Sequence, residues 1–157
     1  MAWTQDRKRQ SVGSLKPKYD SDGKIWLYGY SLGAATRKTL GRLWIGTYGW
    51  NFVTAVADPS DVVKLGFIAA PKATYTSGVY GWFQIGGICS DAIMTTTTGT
   101  VGHGVEIVSD TIVSAGAANS GQDHQFAVMI TAKTTSNSQD ILMFPEKVDG
   151  QDAIAGE

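Results

Sequence analysis

Residues 24–40 read KIWLYGYSLGAATRKTL, and Gly29-Tyr30-Ser31-Leu32-Gly33 within them spells G-x-S-x-G. Taken as a nucleophile elbow, the stretch demands a parallel sheet before it, a helix after it, and an acid and a histidine downstream. Taken as a strand, it demands only alternation. The residues supply the alternation: Trp26, Tyr28 and Tyr30 fall on one face, Ile25, Leu27 and Gly29 on the other. Only 28 residues precede Gly29, most of them without periodicity, so the sheet an elbow requires has no chain to build it. Ser31 is therefore expected to be structural. Gly29 and Gly33 serve as bends where aromatic side chains crowd, and no enzymatic activity is expected.

The same logic extends along the chain. Asp22-Gly23 signals a hairpin turn before the strand. Residues 41–57 read as one or two strands bent at Gly46 or Gly49, and residues 62–70 as another closed by Pro71. GVYGWFQIGGIC, SDAIMTTTTGT and VGHGVEIVS follow, and HQFAVMITA (124–132) and QDILMFPE (139–146) complete eight to ten short strands. A helical stripe is conceivable only in residues 32–43, where Gly33 and Gly41 confine it to two turns. Nineteen glycines in 157 residues, well above the usual ~7%, suit short strands joined by tight turns. The expected fold is all-β, one domain, a sandwich or barrel. Residues 1–22 form an N-terminal arm, 23–146 the β domain and 147–157 a C-terminal tail.

Charge is unevenly placed. Residues 1–42 carry nine basic and three acidic side chains, a net +6; residues 43–157 carry four basic and eleven acidic, a net −7. Such polarity suits head-to-tail contact between copies, docking on an acidic surface, or a solvated arm on an acidic domain. The lone Cys89 forms no intramolecular disulfide. MAWTQDRKRQ runs into charge where a signal peptide needs an apolar core, and no apolar run reaches the ~18 residues of a membrane span.

Metal and cofactor chemistry find little purchase. Cys89, His103 and His124 have no ligand spacing, and His103, in phase with Val101, Val105 and Ile107, belongs on a half-buried face with a hydrogen-bond partner. Asp20-Ser21-Asp22-Gly23 opens like a calcium loop, but Ser31 stands where the closing glutamate belongs, so a turn is expected. No cofactor and no metal are expected. The basic run at 6–10 sits on the arm, away from the aromatics with which single-strand binders interleave their cations, and nucleic acid is not expected as a partner.

YGWFQIGGIC (Tyr80 to Cys89) is apolar on both faces, Val79, Phe83 and Ile85 opposing Tyr80, Trp82 and Gln84. It reads as a central strand or one covered by a neighbouring subunit. Gly81, between two aromatics, admits a ring or backbone at close range.

The order of these motifs resembles small β-rich virion proteins of tailed bacteriophages, of the capsid decoration or cement kind. It runs from the Asp22-Gly23 turn and Trp26-Leu27-Tyr28-Gly29 through YGWFQIGGIC and a Thr- and Gly-rich stretch to VGHGVEIV, over about residues 20–145. The resemblance implies a β-barrel or sandwich on the outer capsid surface. It further implies that such a domain binds the major capsid protein and copies of itself, often as a homotrimer, and stabilises the head. Gly102-His103-Gly104 and the charged arm depart from the pattern. On this reading the interface residues are Trp3, Arg7, Lys8, Arg9, Tyr80 and Trp82. The alternative is a receptor- or glycan-binding virion module, a head fibre or tail-associated domain, using exposed Trp and Tyr to stack on sugars.

Overall fold

A computed structural model describes residues 15–54, 66–93, 100–108, 111–114, 125–131 and 138–145. These residues contain ten strands and no helix. The expected all-β fold is present, as a closed barrel carrying a second sheet.

The barrel begins at β1 (Lys18–Tyr19), which pairs antiparallel with the start of β2 (Ile25–Ser31) across the predicted turn. The arm expected to run to residue 22 thus joins the sheet by Lys18. Gly23 donates its N–H to the Asp20 carbonyl at 3.2 Å and adopts φ +75°, a conformation glycine takes without steric cost. Asp20 holds the turn together. Its Oδ1 accepts from the amides of Asp22 and Lys24, and its Oδ2 accepts from the Trp26 indole at 3.0 Å.

Residues 41–53 form two strands, β3 (Gly41–Gly46) and β4 (Gly49–Val53), joined by a two-residue turn at Thr47-Tyr48 with Gly49 at φ +85°. β4 lies parallel to β2, while β3 pairs antiparallel with β5 (Gly66–Pro71). β6 (Tyr80–Ile93) pairs with β5 on one side and β2 on the other, closing the ring β2-β4-β3-β5-β6. No two-turn helix follows β2; residues 32–40 run as bends and isolated bridges, Ala35 to Tyr75 and Thr39 to Ile93.

Inside the ring, the alternate residues of each strand meet. Leu27, Leu43, Trp50, Phe52, Ala69, Phe83 and Ile85 are buried together, with Phe52 and Phe83 stacked at 4.5 Å. Tyr75 closes this core over β6. Its hydroxyl accepts from the Trp82 amide at 3.0 Å and donates to the Trp82 carbonyl at 3.2 Å. The ring stands against Gly81, where a Cβ would collide with it. This is the close approach that the glycine between two aromatics announces.

β6 continues past the barrel. Beyond Gly87 (φ +81°) it pairs with β10 (Ser138–Met143), and the second sheet runs β6-β10-β9-β7-β8. Its remaining members are β9 (Gln125–Met129), β7 (Gly104–Val108) and β8 (Thr111–Ser114). The sheet's inner residues Cys89, Val105, Phe126, Met129, Ile141 and Met143 pack against Leu40, Ile68 and Ala70 on the outside of the barrel. This second core explains why β5 is apolar on both faces: Ala69 points into the barrel, Ile68 and Ala70 into the interlayer. The doubly apolar β6 is a central strand for the same reason.

Gly81→Ala is expected to lower unfolding free energy by about 2–3 kcal/mol, because the methyl group must displace a ring held by two hydrogen bonds. Urea denaturation measures this, and Gly33→Ala, where no atom lies within 4 Å of the added carbon, serves as the near-neutral control.

Candidate functional site

Ser31 ends β2 inside the protein at 0% exposure, and its hydroxyl donates to the Gly33 carbonyl at 2.7 Å. A bend follows where an elbow needs a helix. The residue is a strand terminator. Asp20-Ser21-Asp22-Gly23 is the turn described above, its carboxylate oxygens occupied by backbone amides and an indole. Burial pushes the Asp20 pKa up, but those hydrogen bonds and the Lys24 charge outweigh it, and the net shift is downward.

Among the described residues no three His, Cys, Asp or Glu side chains cluster as a metal site. His103 lies in the turn before β7 and is half-buried as expected. Its Nδ1 is buried and, among the described residues, has no hydrogen-bond partner of the kind expected, while its backbone bonds Thr100 and Met129. His124 lies outside the described residues. Cys89 is buried in the interlayer core, and desolvation pushes its thiol up to about 11. That keeps it protonated and unreactive at neutral pH.

What the molecule offers is surface. On the outer wall of the barrel, Tyr30 stands opposite Tyr80 and Tyr28 opposite Trp82. The rings interlock: Tyr30 stacks on Tyr48 at 4.3 Å and meets Tyr80 edge-on at 5.0 Å, while Tyr28 stacks on Tyr80 at 5.7 Å. Tyr48, on the β3–β4 turn, is 43% exposed, and Tyr19 beside β2 is 68% exposed. Burial, then the neighbouring Tyr30 and Tyr48 phenols, raise the Tyr80 pKa above its ordinary value.

Of the interface residues proposed from sequence, Tyr80 sits in this patch, half-buried. Trp82 lies beneath it at 0% exposure, with the Lys18 ammonium 5.6 Å above its ring and Tyr28 tilted against it. As the chain stands, Trp82 supports the patch from below and does not reach its surface. Trp3, Arg7, Lys8 and Arg9 lie outside the described residues. Tyr28 and Tyr30 share a face by simple alternation and could have been added to the set. Tyr48 could not, because only barrel closure brings its turn over β2.

A second apolar surface covers the open side of the added sheet. Ile88, Leu142 and Val128 stand in register across β6, β10 and β9, and Ile88 is 47% and Phe144 41% exposed.

On the outside of the barrel, where the β1–β2 turn, residues 37–38, the end of β5 and the middle of β6 converge, opens a cleft of about 390 Å³. Trp26, Gln84, Pro71 and Cys89 form its buried walls, and Lys24, Arg37, Lys38 and Lys72 its basic lining, with Asp20 and Asp22 on one side. The Lys72 ammonium lies 5.5 Å above the Trp26 ring. No local motif announces this cleft, since its four cations come from three separate points of the chain, with only Arg37 and Lys38 adjacent.

No protein-family model and no curated protein matches this chain. Among solved structures, the fold is similar to that of the N base of head fibre gp8.5 in bacteriophage phi29. The TM-score is 0.50 and the identity 8%, over 80% of this chain and 98% of that one.

Cys89 is expected to resist alkylation of the native protein at pH 8 and to react at once in denaturant. Because the folded thiol pKa exceeds the ordinary value of 9.0, the stability that Cys89 contributes is whole below pH 9. It declines as pH rises towards about 11. Cys89→Ala should remove that alkaline component from the pH–stability curve.

Proposed function

We propose that this chain is a non-enzymatic structural protein of a tailed-bacteriophage head, located on the outer capsid surface. Within that role we propose a decoration or cement function, bridging major capsid subunits and copies of itself. The observation that carries the reading is the fold: four-fifths of the chain overlays almost the whole of a head-fibre base. The surfaces support it. Aromatic rings are frequent anchors at protein interfaces, and here Tyr48, Tyr30 and Tyr80 form a rigid cluster on one wall while Ile88 and Phe144 stand exposed on another. Two sticky surfaces on one small body suit a molecule that touches more than one neighbour. Many weak copies then act together through multivalency.

A second reading is favoured by the same neighbour: the chain forms the base of a projecting head fibre, presenting a receptor- or glycan-binding module. Cryo-electron microscopy of the particle separates the two, a flush density at subunit junctions marking cement and a projecting shaft marking a fibre.

Particles lacking this protein are expected to rupture at lower temperature and weaker osmotic shock than complete ones, and purified protein should restore the difference. Tyr48→Ala, which removes an exposed ring without opening the core, should weaken particle binding about tenfold. Equal robustness with and without the protein contradicts the cement function.

A further inference from the structure

The cleft on the outer wall of the barrel is not needed to explain the fold, and its chemistry is specific. Lys24, Arg37, Lys38 and Lys72 line it against Asp20 and Asp22, a net charge of +2. The Asp20 carboxylate is already bonded to two amides and an indole, and the Asp91 carboxylate stands 3.9 Å from Lys38. The Arg37 side chain is exposed, and its amide donates to the Thr74 hydroxyl at 3.1 Å.

The backbone around the cleft is also unusual. Lys38 (φ 63°) and Asp91 (φ 56°) are the two non-glycine residues with positive φ among those described, and they meet as an ion pair at the cleft's edge. Side chains in that conformation carry strain and persist where the surrounding structure fixes them, often at binding sites. Here they hold the cationic wall in place: the Lys38 amide donates to Pro71 and its carbonyl accepts from Ile93, tying β5 to β6.

We propose that this cleft receives an acidic polypeptide segment, supplied by a second copy of this chain. Three of its four cations belong to the first 42 residues, which carry +6, while the remaining 115 residues carry −7. A head-to-tail contact therefore brings opposite charges together at a built cavity. Ile88 lies at once in the cleft and in the exposed apolar rank of the second sheet, so an entering segment can set carboxylates against the cations and an apolar residue against Ile88. The acids on one wall disfavour a dense polyanion such as nucleic acid and suit a peptide, whose charges are spaced and mixed. This contact stands independently of the capsid role: a protein of any function with this cleft and this charge division would make it.

Carbodiimide coupling, which joins a lysine to a carboxylate only when they touch, tests the proposal on the full chain. Equal amounts of ¹⁴N- and ¹⁵N-labelled protein are mixed, coupled and mapped by mass spectrometry. The expected products are mixed-isotope links from Lys24, Lys38 or Lys72 to an acidic residue of the other copy. They should fall about tenfold in Arg37→Glu and in high salt. Arg37→Glu should melt like the parent, and Lys24→Gln provides the same loss by a second route. Links at these lysines confined to single chains overturn the proposal. So do inter-chain links indifferent to both variants, and an oligonucleotide or inorganic phosphate that shields the lysines where a second copy does not.

Discussion

One strand has to belong to two sheets. β6 closes the barrel with its first half and founds the second sheet with its last, so its fourteen residues must satisfy neighbours on both edges and both faces. That constraint dictates its sequence. Phe83 and Ile85 fill the barrel, Trp82 and Gln84 are buried on its outer wall, and Cys89 and Ala92 fill the interlayer core. Gly87 (φ +81°) then redirects the strand; it stands where a Cβ would press on the Gly23 carbonyl of the β1–β2 turn. Deleting a large side chain here would cost more than the usual ~3–5 kcal/mol core truncation suggests if both layers loosen together.

The surfaces follow from that architecture. Because β2 and β6 are paired through six positions, the tyrosines on their outer faces fall into one interlocked patch, pre-ordered before any partner arrives. Because the second sheet packs on one side of the barrel only, it leaves an apolar face open and a cleft on the barrel's outer wall. The interlocked rings lose little side-chain freedom if a partner docks on them.

Much of this could be read from local sequence. Alternation in IWLYGY and in VYGWFQI separated the residues of the two faces, though not which face is the inner one; Asp22-Gly23 marked a real turn, and Gly81 announced the approach of a ring or backbone, here the Tyr75 ring. The alternation around Ser31 marked it as a strand residue, and it ends β2 buried, with its hydroxyl on the Gly33 carbonyl. Other features depend on contacts between distant segments, which period-two patterning does not encode. The parallel pairing of β2 with β4 is one, and the placing of Tyr48 over Tyr30 another. Trp82 shows the limit most clearly: parity sends it to the outer wall, but only the packed structure shows Lys18 and Tyr28 lying across it.

Barrel and second sheet share β6 and a common buried core, so they should open as one cooperative body. Native-state hydrogen exchange tests this directly. Amides of β2 and the first half of β6 should share one opening free energy with amides of β9 and β10, equal to that of global unfolding. A second sheet that exchanges through its own opening, several kcal/mol easier than the barrel's, would contradict it.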